Sequence, residues 1–212
     1  MKVVWLSPIV AAFVTLQAPV AAQEVNGLNY NRAGIGYGSG TLSGVRDSVT
    51  LDGDASGVAM QLQTLVAEKF VLGFGYERYD GDIKARANSR TIRADFKNTN
   101  TYLTLGYRVA LVEGTDLVPR LIFLNSDASV GGESADDSTT AYGLFLNTRL
   151  SERVQATIGF KTDGRDDEYG KTYDVGLLFK ATPTIGLGMN YSLNDVDSGD
   201  TKTWTLMVEH LF

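Results

Sequence analysis

The segment that most restricts what this chain can fold into is its last, Thr203 to Phe212. Trp204, Leu206, Val208, His210 and Phe212 form one mostly apolar row, while Thr203, Thr205, Met207 and Glu209 form a more polar row. A period of two residues places these rows on opposite faces of a β-strand. Such a strand separates an apolar medium from a polar one and ends on an aromatic residue. Either it edges a soluble sandwich or it closes a cylinder in lipid.

Nine further segments alternate in the same way. Ala33, Ile35 and Tyr37 oppose Gly34, Gly36 and Gly38; Val58, Met60, Leu62 and Val66 oppose Ala59, Gln61 and Gln63; Phe70, Leu72, Phe74 and Tyr76 oppose Val71, Gly73, Gly75 and Glu77. The pattern returns in 101–111, 117–124, 141–150, 154–161, 173–180 and 185–193. Leu28 and Tyr30 fall on the opposite parity to the first segment, which predicts a bulge or a later strand start there. Pro119 removes one ladder donor from the fifth segment.

Two tests favour lipid. A Lys or Arg facing mid-membrane costs roughly 2–4 kcal/mol, so the outer row of a membrane barrel excludes charge. No Asp, Glu, Lys or Arg falls on the apolar side of these rows. Connection length is the second test. Ala67 to Lys69, Val112 to Asp116, Ser151 to Arg153 and Thr182 to Thr184 are short turns, and they alternate with longer connections. Hairpins centred on Glu68, Gly114, Glu152 and Pro183 pair Val66 with Phe70, Leu111 with Leu117, Leu150 with Val154 and Phe179 with Leu187, so outward meets outward.

On the terminal Trp204, Leu206, Val208 and Phe212 and on these rows, the chain resembles the family of small bacterial outer-membrane β-barrel or porin-like proteins. The resemblance implies an all-β, antiparallel up-and-down transmembrane β-barrel of about ten strands, eight being the alternative. Turns then lie in the periplasm and loops outside the cell. It also implies outer-membrane lipid and lipopolysaccharide as surroundings, with periplasmic chaperones and the barrel-assembly machinery reading the terminal signal. His210 departs from that signal, which more often has a bulky hydrophobic residue there. Met1-Lys2, the apolar run to Val20 and the small residues Ala21-Ala22 describe an exported precursor, so residues 1–22 are expected to be a cleaved signal peptide and 23–212 a single, monomeric barrel domain.

Composition excludes other classes. The absence of cysteine removes disulfides and thiolate metal sites. An excess of Asp and Glu, 25 against 19 Lys and Arg, leaves no basic face for nucleic acid. The resemblance implies that an enzymatic barrel would carry a histidine base near its outer rim. The single histidine, His210, falls at the periplasmic edge facing outward, so no catalytic role and no cofactor are expected.

Inside the barrel, Arg32, Arg108, Arg120, Arg149 and Lys180 are expected near the periplasmic ends of their strands, with Glu209 the one clear acid at that level. Arg108 should face Arg120 across their hairpin, and Glu209 should reach Arg32 across the closing seam. These residues would form an anion-favouring constriction. Inward Gly36, Gly38, Gly73, Gly75, Gly106, Gly143, Gly159, Gly176, Gly186 and Gly188 leave room for a narrow water path, which Tyr102, Phe145 or folded-in loops could close.

Three loops carry other candidates. Lys84, Arg86, Arg90, Arg93 and Lys97 flank an Asn88-Ser89 turn and could contact lipopolysaccharide phosphates. Asp195, Asp197 and Asp200 are a weak candidate for a divalent cation, while Asp136-Asp137 and Asp166-Asp167-Glu168 read as solvated loop tips. Two roles follow from the whole. One is a narrow porin-like passage for ions or small polar solutes. The alternative is a closed structural or interaction barrel that binds lipopolysaccharide or a surface partner through its loops.

Overall fold

The computed structural model describes residues 24–46, 49–87, 90–162, 170–196 and 199–212. The expected signal segment, Asn88-Ser89, Asp166-Asp167-Glu168 and Asp197 lie outside them. A short antiparallel pair, β1 (Glu24–Val25) and β2 (Leu28–Asn29), precedes one large sheet. That sheet comprises β3 (Arg32–Arg46), β4 (Val49–Val66), β5 (Phe70–Ala87), β6 (Arg90–Tyr107), β7 (Val109–Val112), β8 (Thr115–Val130), β9 (Glu133–Ser151), β10 (Val154–Thr162), β11 (Lys171–Lys180), β12 (Ile185–Val196) and β13 (Gly199–Leu211).

Every pairing is antiparallel. The sheet runs from β6 through β5, β4, β3 and β13 back to β8, and β6 also pairs with β8, so the cylinder closes. β6 and β7 are one stave interrupted at Arg108, which makes ten staves in the ring. The interruption has a local cause. Pairing of β6 with β8 ends at Gly106↔Arg120 and pairing of β7 begins at Val109↔Leu117, so Pro119, with no N–H to donate, stands opposite the break. On its other side the stave stays bonded, the Arg108 N–H donating to the Lys69 carbonyl at 2.7 Å.

Two turns keep the expected register and two do not. Val66 pairs with Phe70 and Phe179 with Leu187. Leu117 faces Val109 rather than Leu111, and Val154 faces Ser151 before a register shift brings Gln155 opposite Arg149. The physical reason is that the turns at Glu113-Gly114 and Glu152-Arg153 are tighter than the connections assumed, and an irregularity in each absorbs the difference. Outward still meets outward, as at Ile158↔Leu146.

The outer belt is apolar and exposed: Leu103, Leu105, Leu144, Val175, Leu187, Met189, Leu206 and Val208 all present large surfaces. Aromatic residues edge it, with Phe70 and Tyr107 in edge contact at 5.6 Å toward the turn end and Phe160 against Tyr173 at 5.5 Å. Trp204, Leu206 and Val208 lie in this belt as the terminal pattern predicts. The Phe212 N–H donates to the Asn31 carbonyl at 3.0 Å.

The strands beyond the belt are longer than a bilayer requires. β4, β5 and β6 each have 18 residues and β9 has 19, whereas about 9–11 tilted residues span hydrocarbon. Lys84, Arg86, Arg90, Arg93 and Lys97 therefore stand in strands of a projecting hairpin, and Asp136 and Asp137 in β9, not in loops. At this height the pattern inverts. Arg78, Asp80, Asp82, Lys84 and Arg86 occupy the outward row of β5, while Ile83 and Ala85 face inward, as do Phe96, Ala94 and Ile92 on β6. Water outside takes the place of lipid and accepts the charged row, while toward the tip the inner row is itself open, Ile92 being exposed.

Three of the inward glycines stand against large rings. A Cβ at Gly75 would overlap the Tyr102 ring, and at Gly143 or Gly159 the Phe145 ring. At these three positions the small residue admits a large neighbour.

Met189 sits at the centre of the belt between Leu177 and Leu206. Met189→Arg should lower folding stability in lipid by roughly 2–4 kcal/mol, read by reversible denaturant titration. An equal change from Asn190→Arg on the inner face would contradict the assigned sidedness.

Candidate functional site

β1 and β2 lie inside the barrel at its turn end. Leu28 and Tyr30 are fully buried in a cluster with Val71, Val118, Ile122 and Phe145, all inward residues of the staves. The opposite parity of Leu28 and Tyr30 marks a separate element that fills the lumen, not a bulge in β3. Their apolar side chains meet a dry part of the inner wall there.

Polar contacts fix the segment in place. Asp116, with no exposed surface, is their hub. It accepts from the Tyr30 hydroxyl at 2.8 Å and from Asn26 Nδ2 at 2.8 Å, and it forms an ion pair with Arg108. Asn26 also receives the Gly114 N–H at 3.0 Å and donates to the Val112 carbonyl at 3.0 Å. The Asn29 N–H donates to Gln155 Oε1 at 3.0 Å, and Gln63 Nε2 donates to the Tyr30 carbonyl at 3.2 Å. Asn31 Oδ1 receives the Leu65 N–H at 2.7 Å. Contacts reach β4, β7, β8 and β10, so the plug is tied around the ring.

The expected constriction is thereby divided. Arg108, Arg149 and Lys180 do not line one gate. Arg108 is taken by Asp116, Arg149 by Glu113 at 3.2 Å, and Lys180 by Glu24 of the plug. Arg108 does not face Arg120, whose strand neighbours are Gly106 and Gly143. Glu209 is not the one acid at this level, since Asp116, Glu113 and Glu24 share it. Glu209 does reach Arg32 across the seam, at 3.5 Å. Asp116 was legible as an inward position, two residues from Val118 and four from Arg120, but its place in a turn-end connection concealed it.

Above the plug remains a cavity of about 530 Å³. Arg32, Arg120, Phe145 and Glu209 line its lower part, and Leu42, Ile83 and Phe96 its walls toward the hairpin end. Arg120 donates to Gln63 Oε1 at 3.2 Å and stacks 4.4 Å from the Phe145 ring centre. Lys161 pairs with Asp174 at 3.0 Å, and Asp174 also accepts from the Ser192 hydroxyl. Nothing in the local sequence marks Lys161 or Asp174, because their pairing depends on the register of β10 against β11.

The remaining candidates are placed as follows. Asp195 and Asp200 are directly opposite across β12 and β13, and no group of three metal-ligating side chains occurs among the described residues. His210 is exposed on the outer face and stacks on Phe212, with ring centres 6.1 Å apart. It has no access to the lumen.

No protein-family model and no curated protein matches the chain. Solved structures do. The transport unit of the autotransporter AIDA-I from Escherichia coli superposes with a TM-score of 0.58 at 8% identity, over 96% of this chain and 97% of that one. The β domain of the Bordetella autotransporter BrkA gives 0.51 at 12% identity, over 86% and 100%. The outer membrane protein OprG from Pseudomonas aeruginosa gives 0.47 at 11%, over 89% and 99%. At these identities the likeness shows the fold, which is that of an outer-membrane β-barrel.

Asp116→Ala leaves the Arg108 guanidinium without its partner and the plug without its hub. Breaking a buried ion pair costs about 3–5 kcal/mol. The chain has no cysteine, so a single Leu28→Cys reports plug release through maleimide labelling. Labelling should be slow with Asp116 intact and at least ten times faster with Asp116→Ala.

Proposed function

We propose that this outer-membrane β-barrel is a closed structural and interaction barrel, shut at its periplasmic mouth and presenting a tall β-wall outside the cell. The observation that carries this reading is the Glu24–Asn29 pair seated in the lumen with Asp116 at its centre. An open passage would need this segment to leave, breaking the Tyr30, Asn26 and Lys180 contacts together. The ten-stave diameter would admit solute only then. Hydrolysis is not part of the reading, because the one histidine faces lipid.

The surface offered to a partner is the outer face of β5 and β6. Lys84 and Arg93 are direct cross-strand neighbours on that face, with Arg86 and Lys97 on the same outward rows. Like charges opposed on adjacent strands are unfavourable unless an anion lies between them. Asp52 is opposite Lys84 on β4 and approaches Arg86 at 4.0 Å, while on the β6 side Lys84 meets Arg93. Phosphates on the surface-exposed part of lipopolysaccharide have the charge to fill that need.

Planar-bilayer recording of residues 23–212 tests the closed reading. The intact chain should be silent, and removal of residues 24–30 should produce conductance steps. Stable steps from the intact, folded chain would overturn it in favour of a porin-like passage. For the contact face, Lys84→Glu with Arg93→Glu should reduce retention on lipopolysaccharide-containing vesicles at least fivefold, while retention on vesicles without it stays unchanged.

A further inference from the structure

The cavity above the plug contains an imbalance that a structural barrel does not require. Arg32, Arg108, Arg149, Lys161 and Lys180 each have a carboxylate partner, namely Glu209, Asp116, Glu113, Asp174 and Glu24. Arg120 has none among the described residues. Its partners are an amide oxygen of Gln63 and the face of Phe145, and its Nε is buried without an acceptor. A guanidinium keeps its charge in any such site and presents a planar fork of donors, so it favours a carboxylate or a similar anion.

The wall above Arg120 defines the rest of the occupant. Arg120, Ile122 and Leu124 follow one another on the inward row of β8. Tyr102 of β6 is opposite Leu124, and Ala141 of β9 is opposite Ile122. All five line the cavity, so an apolar strip rises directly from the guanidinium. β5 and β11, two and three staves from β8 on either side, carry Glu77, bonded to Asn100, and Asp174, bonded to Lys161 and Ser192. A second negative charge on the ligand would meet these acids.

We infer that the lumen is a binding cup, entered from the hairpin end, for a small organic monoanion with an apolar body, its carboxylate held by Arg120 and its body laid along Ile122, Leu124 and Tyr102. A cavity of about 530 Å³ is within the range used for small ligands. The inference rests on the closed reading, since the plug supplies the floor. Arg120 is then a ligand-binding residue, and the Phe145 ring and Gln63 amide are what hold its plane.

Benzoate is the probe, titrated calorimetrically into residues 23–212 in lipid nanodiscs, with benzyl alcohol as the uncharged control. Saturable binding of one benzoate per barrel is expected, with benzyl alcohol at least tenfold weaker. Arg120→Gln should weaken benzoate at least tenfold. Leu124→Asp should do the same while leaving the guanidinium in place, and heat-dependent gel mobility checks that each variant is folded. Undetectable benzoate binding to a folded, silent barrel overturns the cup and leaves the closed reading standing. Equal binding by wild type and both folded variants, or by benzyl alcohol, also overturns it. Conductance of the same preparation separates the two readings, because an ion-conducting chain that still binds benzoate through Arg120 refutes only the closed floor.

Discussion

In hydrocarbon, a backbone amide that finds no carbonyl has no water to turn to, so a sheet can cross a membrane only by closing on itself. Here the closure is made by the β13 to β3 seam, thirteen cross-strand partners from Gly199↔Gly44 to Leu211↔Arg32. Everything else is subordinate to that ring. It fixes which residues share the lumen, and it brings Arg32 and Glu209, from opposite ends of the chain, within ion-pair distance. It also explains why the single break, at Arg108, sits opposite a proline that has no amide to leave unpaired.

Once the ring exists, its interior must be filled or wet. At the turn end it is filled by the chain's own leading segment, whose Leu28 and Tyr30 meet the inward Val71, Val118 and Phe145. The cost of carrying Arg108 and Asp116 into that setting is met by pairing them with each other and by supplying Asp116 with two further donors. Higher up, large inward rings occupy the space beside glycines. Above the plug lies a cavity whose Arg120, at the base of an apolar strip, has no carboxylate partner among the described residues.

The reversal of polarity along β5 and β6 gives the barrel its second surface. Below the reversal the outer face is apolar because lipid surrounds it; above, the outer face is charged and the inner face apolar. The same two strands thus serve as membrane stave and as projecting wall. The charged rows on that wall are ordered by register, and the opposition of Lys84 to Arg93 is a property of pairing, not of composition.

The alternation of side chains determined much of this protein by itself. Period two in ten segments, an uncharged apolar row and short turns at alternate connections define the class of fold, the sidedness of each strand and the strand number. These are local properties, set by the pleat and by the medium each face meets. The tertiary structure decided the rest. Whether Leu28 and Tyr30 continue a strand or enter the lumen depends on a cylinder that exists only after β13 meets β3. Which carboxylate each lumen cation finds depends on partners far away in the chain, 156 residues in the case of Lys180 and Glu24. The fate of Asp116, and the solitude of Arg120, follow from register shifts of a residue or two at tight turns, where parity is silent and only the closed hydrogen-bond ladder selects the partner.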